Sequence, residues 1–280
     1  MMRTLKYLFV SVFFFFLVFN SCKKENMNNY NILSNLPADT GGLHTANPLG
    51  TNESPYGYYA YTPSAKGPDY PLLVFLHGAG EKGNSSTDNA ILDLVLRNGP
   101  PRLIKEKKWK PRYPMIVVSP QCHESGWNSN KIQSFIKFVI NNYPVNTKRI
   151  YLTGLSMGGY GTYSYLTYFA DSSLVAAAVP ICGAGNPNKV AGMKHIPLWA
   201  FHGDADLTVL PEGSIDMVNA INAANPPVKA KLTIYPGVGH DSWTRTYDGT
   251  GMGTESPQYD PFDMQIYDWM FQYEWKQFLK

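Results

Sequence analysis

Gly154-Leu155-Ser156-Met157-Gly158 sets a serine between two glycines, and Gly159 follows directly. A serine hydroxyl becomes a nucleophile when a base beside it takes its proton. The pattern carries weight where a strand precedes it and a helix follows, because glycines then let the two elements meet in a tight turn that lifts the hydroxyl clear of the sheet. Both conditions are met: Arg149 to Thr153 reads as a buried strand, and residues 157–169 read as a helix. The bland alternative is a glycine-rich turn with an idle serine.

Six histidines could supply the base. His44 lies in a polar N-terminal segment and His195 in a loop before a strand. His77 and His202 end strands, where packing and hydrogen bonding beneath a site are expected. His123 stays open from its position alone. His240 follows the last strand in Pro236-Gly237-Val238-Gly239-His240. Along chains that carry this turn the order is nucleophile, acid, histidine, and only His240 comes after the acid candidates. Those candidates follow the strand at 197–201, in His202-Gly203-Asp204-Ala205-Asp206. The acid must accept from one ring nitrogen, fixing the tautomer and stabilising the imidazolium. Asp204 sits directly after the glycine, in the tight part of the turn, where an aspartate suits capping of backbone N–H groups. Asp206 lies where the loop can pass over the sheet edge towards His240, and is the expected acid.

A tetrahedral intermediate needs hydrogen-bond donors for its oxyanion. One candidate is the N–H of Met157. The other is the N–H of Ala79, in His77-Gly78-Ala79-Gly80, where glycine lets the backbone approach a substrate. Trp127 and Trp243 each follow a strand end and are candidates for an aromatic wall; the competing reading makes them core tryptophans that anchor loops. Gln121 is a further candidate for substrate contact. The sequence contains no H-E-x-x-H, C-x-x-C, dinucleotide or P-loop pattern, and Cys122-His123 has no clear ligand partners, so neither metal nor cofactor is expected.

The elements that must position these groups alternate along the chain. Strands are expected at 56–61, 71–77, 115–119, 149–153, 174–181, 197–201 and 231–235. Helices are expected at 90–96, 131–140, 157–169, 215–223 and 265–278. Continuous apolar strands separated by helices imply an α/β fold with a mostly parallel sheet, covered on both faces. Ligands in such sheets bind beyond the C-terminal strand ends. Assuming the strand order usual for folds that carry this serine turn, Cys122 and Cys182 end strands three steps apart; at ~4.8 Å per step this is about 14 Å, beyond the ~7 Å between bridged Cα atoms. No disulfide between them is expected.

The N-terminus has a different purpose. Arg3 and Lys6 precede an apolar run from Tyr7 to Phe19, too short to span a bilayer comfortably, which reads as a signal peptide over residues 1–21. Phe19-Asn20-Ser21-Cys22 resembles the lipobox of bacterial lipoproteins, whose cysteine is lipidated and becomes the mature N-terminus. The implied protein is a lipoprotein anchored to a bacterial envelope membrane through Cys22, with Lys23 and Lys24 against anionic head groups; plain secretion is the alternative. Losing residues 1–21 leaves 22 Lys and Arg against 21 Asp and Glu, and this net charge of +1 argues against nucleic acid as a partner. Residues 22–50 are polar and rich in Asn, and read as a tether. Residues 51–280 read as one catalytic domain.

Phe75 to Gly83, Val118 to Cys122, Gly126-Trp127, Arg149 to Gly161, Pro180 to Gly183 and Gly239 to Trp243 together resemble the secreted α/β-hydrolases of the phospholipase/carboxylesterase and polyhydroxybutyrate-depolymerase-like groups. Some members are described as predicted peptidases, others as feruloyl- or acetylxylan-esterase-like. The resemblance covers roughly residues 55–280 and implies an α/β-hydrolase fold and cofactor-free hydrolysis of a carboxylic ester, of a small or saccharide-linked kind. It also agrees with Asp206, since relatives show G-x-x-D-x-x-V and Gly203, Asp206 and Val209 fill it. Thr246 to Asp263 departs from the pattern, and its place after the histidine loop suggests that it shapes the mouth of the site. A serine peptidase of the same fold is one alternative, although such peptidases usually bring a large gating domain. A binding protein on an inactive scaffold is another, although it would be expected to have lost a triad member.

Overall fold

The computed structural model describes residues 36, 39–64, 67 and 69–275. The expected signal peptide, Cys22 and the end of the expected closing helix lie outside them. Among the described residues, eight strands make one sheet: β1 (Gly42–Asn47), β2 (Gly57–Pro63), β3 (Tyr70–Leu76), β4 (Ile116–Gln121), β5 (Val145–Leu155), β6 (Ala177–Ile181), β7 (Trp199–Gly203) and β8 (Lys231–Tyr235). Their order is β1-β2-β4-β3-β5-β6-β7-β8. β1 and β2 run antiparallel to their neighbours; the remaining pairings are parallel. β3, β4, β6 and β7 are buried along their whole length, which is why they read as unbroken apolar runs.

Period-two alternation divides those side chains between two cores. Leu72, Val74 and Leu76 of β3 join one, and Leu73 and Phe75 the other. The first core is closed by α2 (Ser129–Asn142), α3 (Met157–Phe169) and α4 (Glu212–Ala223); the second by α5 (Trp243–Asp248) and α6 (Ile266–Met270), with Leu103 and Ile104 of α1 (Gly99–Lys105) packed on it. Ile132, Phe135, Ile136 and Val139 of α2 recur at the spacing of one helical face, and the Asn128 side chain caps that helix by accepting from the Lys131 N–H at 3.1 Å.

Several expectations are corrected. The sheet begins inside the segment read as a tether: β1 pairs with β2 from Gly42 to Asn47. Its sequence is polar because it is an edge strand with half-exposed and exposed residues. The helical segment near residue 90 is a 3-10 helix, Asn89–Arg97, followed by α1. The closing helix is short, and residues 271–275 turn away from it. The segment from Thr246 to Asp263 does not simply frame a mouth. Its later part runs along the free edge of β8, where Ser256 N–H donates to Ile234 O at 2.7 Å and Asp260 N–H to Leu232 O at 2.8 Å. Asp260 also accepts from the Leu232 N–H at 2.8 Å. Backbone groups that an edge strand would otherwise offer to another chain are thereby used internally. β3 and β5 separate β4 from β6, and Cys122 and Cys182 are buried free thiols.

Arg149 at the inner part of β5 is completely buried. Its guanidinium donates to Phe271 O at 2.7 Å and to Glu274 Oε1 at 2.8 Å, tying the sheet to the C-terminal segment. Two histidines are also completely buried. The His77 Nε2 accepts from the Cys122 N–H at 2.9 Å, so its Nδ1 carries hydrogen and donates to Gly78 O at 2.6 Å. His202 bonds Ser214 Oγ at 2.7 Å and Val209 O at 2.9 Å. Burial lowers both pKa values, to about 4 for His77.

Two outcomes are expected. Arg149→Met should cost about 1–3 kcal/mol, as loss of the donor to a buried carbonyl does; a urea midpoint equal to wild type would contradict the role. The unfolded chain takes up protons at His77 and His202 as pH falls below about 6.5, while the folded protein resists doing so down to about 4 at His77. Stability should therefore be greatest above about pH 6.5 and decline towards pH 4, by up to about 1.4 kcal/mol per pH unit for each histidine. Unfolding midpoints that stay level between pH 7 and pH 5 would refute this.

Candidate active site

Ser156 occupies the N-cap position of α3 with φ 52° and ψ −116°, a backbone that L-residues rarely adopt. The surroundings hold it there. Its N–H donates to Ile181 O at 3.0 Å, and the turn is pressed against β3. A Cβ on Gly154 would lie 2.3 Å from Gly158 O, and one on Gly158 would lie 1.9 Å from Leu76 O. Only glycine permits that approach, so the serine stands at the C-terminal end of the sheet.

The loops after β7 and β8 bring the other two groups. They are joined by bonds from Asp204 N–H to Tyr235 O at 3.1 Å and from Ala205 N–H to Val238 O at 3.0 Å. The Asp204 side chain accepts from the Gly237 N–H at 2.6 Å. This aspartate therefore caps backbone, on the neighbouring loop rather than within its own turn. Asp206 points to His240: its Oδ2 lies 2.7 Å from Nδ1, and Nε2 lies 2.8 Å from Ser156 Oγ. The structure thus brings Ser156, Asp206 and His240 into one hydrogen-bonded line.

Asp206 is 1 % exposed. Its Oδ1 accepts from the N–H groups of Thr208 at 2.8 Å and Val209 at 3.0 Å, while His202 Nε2 lies 3.2 Å from Oδ2. Burial acts to raise its pKa, but the His240 bond and the two N–H groups outweigh it and hold the carboxyl below its usual value. An ionised carboxylate only accepts, so Nδ1 of His240 carries the hydrogen and Nε2 is free to accept from the serine. The Cys182 thiol lies within 4.8 Å of ligand atoms of Asp206 and His240. Burial raises its pKa strongly, so it stays a neutral thiol under the site.

Ala79 opens a 3-10 turn, Ala79–Glu81, and is exposed. Met157 is the first residue of α3. The first N–H groups of a helix have no partner inside it, so both positions can offer a donor. A Cβ built on Gly78, one residue before Ala79, would lie 3.6 Å from Ser156 Cβ, which puts this loop beside the serine.

The candidates for substrate contact divide. Trp243 stands at the site, its ring edge-on to His240 at 5.3 Å and 88°. Trp127 instead anchors the loop after β3: its Nε1 donates to His77 O at 3.1 Å, and its ring packs on Tyr56. Gln121 is corrected outright. It is 1 % exposed, and its amide donates to Glu81 O at 3.1 Å and Ile91 O at 2.7 Å, so it braces loops from beneath. His123 bonds Lys131 at 2.9 Å, whereas the histidine bonded to Ser156 is His240. Asn98 and Glu81, which join the loops around Ser156 and His240, were not singled out by the sequence; an asparagine before two prolines was the available signal for the first.

Residues 59–248 match the phospholipase/carboxylesterase family. A bifunctional acetylxylan esterase/xylanase of Neocallimastix patriciarum is 26% identical over 156 residues, covering 53% of this chain and 21% of that protein. A probable acetylxylan esterase A of Aspergillus clavatus is 24% identical over 205 residues, covering 70% of this chain and 64% of the relative. This chain therefore spans about a fifth of the first and just under two thirds of the second. Among solved structures, a thermostable esterase superposes with a TM-score of 0.61 at 28% identity, covering 84% of this chain and 64% of its own. The match over most of the sheet and its loops makes the chain a member of the phospholipase/carboxylesterase family of α/β-hydrolases.

Proposed function

We propose that the protein is a serine esterase that cleaves a carboxylic ester linked to a saccharide or to an aryl acid. The observation that carries this reading is the line from Ser156 Oγ through His240 to Asp206, at 2.8 and 2.7 Å. In this mechanism Ser156 Oγ attacks the ester carbonyl and its proton passes to His240 Nε2. Asp206 stabilises the imidazolium through Nδ1, and the N–H groups of Ala79 and Met157 receive the oxyanion. Collapse expels the alcohol, which takes the proton from His240. Water then repeats the sequence on the acyl-Ser156 ester, releasing the acid and restoring the serine. The acetylxylan esterases among the relatives support a saccharide-linked ester over a free lipid ester.

Residues 1–22 support export, followed by lipid attachment at Cys22. In this reading the catalytic domain works at the surface of an envelope membrane on material that reaches it from outside.

Ser156→Ala should lose ester turnover, keeping only the residual rate of oxyanion hole and binding, roughly 10³–10⁴ over water. Asp206→Asn should lower kcat by about 10⁴, whereas Asp204→Asn should act mainly on melting temperature through the Gly237 bond. The reverse order in kcat would move the acid to Asp204. Turnover of acetylated xylan, methyl ferulate and a peptide amide side by side would test the substrate class, and amide cleavage faster than both esters would overturn it. Cys22→Ser should move the protein from membranes to the soluble fraction; complete retention on membranes would count against lipid attachment there.

A further inference from the structure

Asn98 occupies the N-cap of α1 but does not cap it. An N-cap asparagine ordinarily accepts from the N–H two or three residues on. Those positions are Pro100 and Pro101, which have no N–H. The sequence thus frees the Asn98 amide, and both of its ends are used elsewhere. Nδ2 donates to Glu81 Oε1 at 2.6 Å, and Oδ1 accepts from Trp243 Nε1 at 3.1 Å. An indole only donates and a carboxylate only accepts, so the orientation of the amide is fixed by its partners.

The two partners belong to the two halves of the site. Glu81 ends the turn that begins at Ala79. Trp243 opens α5, and its ring stands edge-on to His240. We propose that Asn98 is a positioning residue, a clasp that holds the oxyanion loop in register with the loop carrying His240. The proposal rests on the esterase reading of Ser156. It depends on the burial of Glu81, which is 5 % exposed. Among the described residues its Oε2 is buried without a hydrogen-bond partner and lies 3.9 Å from His77 Nδ1. Asn98 therefore supplies the side-chain bond that keeps this carboxylate inside. Without it a buried carboxylate has no donor, and moving towards water is its cheapest response. The short turn carries Ala79 with it. An oxyanion donor matters in the transition state and little in the ground state, so the loss should fall on kcat rather than KM.

The test uses purified Asn98→Leu, Asn98→Asp and the double variant Glu81→Gln with Asn98→Asp. In the double variant the donor and acceptor exchange places: the new amide at 81 donates to the new carboxylate at 98, whose second oxygen still accepts from Trp243. Asn98→Leu and Asn98→Asp should lower kcat on nitrophenyl acetate by about 10- to 100-fold, a fraction of the loss from deleting an oxyanion donor, with KM within about twofold. The double variant should recover most of that kcat at a melting temperature near wild type. Single variants that keep wild-type kcat overturn the clasp, and so does a folded double variant that fails to recover. The rate at which a fluorophosphonate labels Ser156 reports the same geometry without assuming any ester. Labelling that follows the clasp pattern in a protein lacking ester turnover would therefore reject the esterase reading and retain the clasp.

Discussion

The first turn of α3 lies directly on the end of β3, with the Leu76 carbonyl where a Cβ on Gly158 would be. No side chain can stand between the two backbones. That contact sets the height of Ser156 above the sheet, because the serine occupies the only bend joining β5 to α3. It also brings the two oxyanion candidates together. β3 and β5 are neighbours, so the loop leaving β3 at His77 and the helix leaving β5 at Met157 begin side by side. The geometry of the candidate site is thus a consequence of strand order and of one backbone-to-backbone approach.

The other half of the site is arranged by charge. A carboxylate at 1 % exposure is costly unless every lone pair has a donor nearby. Asp206 is surrounded by two backbone N–H groups, His202 and His240. This environment keeps it ionised, and an ionised Asp206 leaves His240 a single useful tautomer. Asp204, two residues earlier, bonds the β8 loop instead. Neighbouring aspartates therefore divide the work: one holds the histidine's loop in place, the other holds its ring.

Much of this was legible in the sequence. The apolar runs of β3, β4 and β7 are buried on both faces and announce themselves without context. The glycines of the elbow are local, so their meaning survives in one dimension, and the spacing after β7 separated Asp206 from Asp204. What was hidden depends on partners distant along the chain. β1 is polar because an edge strand has water on one side. Gln121 and Trp127 follow strand ends as substrate contacts would, and only the fold shows that Gln121 is buried and that the half-buried Trp127 bonds the His77 carbonyl. Asn98 touches residues 17 positions before it and 145 after it, a relation that no local pattern encodes. The segment from Thr246 to Asp263 reads as shaping the mouth of the site, and only the fold shows that its later part pairs along the β8 edge.

Ser156 holds a backbone conformation that glycine adopts far more readily. Strain at a functional residue means that the same position can be selected in two opposite directions. Under selection for hydrolysis, the side chain is indispensable and its conformational cost is tolerated. In a lineage released from that selection, glycine at 156 would relax the turn and leave the sheet, the cores and the covered edge as they are. On the esterase reading, chemistry in this architecture is therefore more easily lost than shape, since one substitution at 156 would remove the nucleophile and keep the fold.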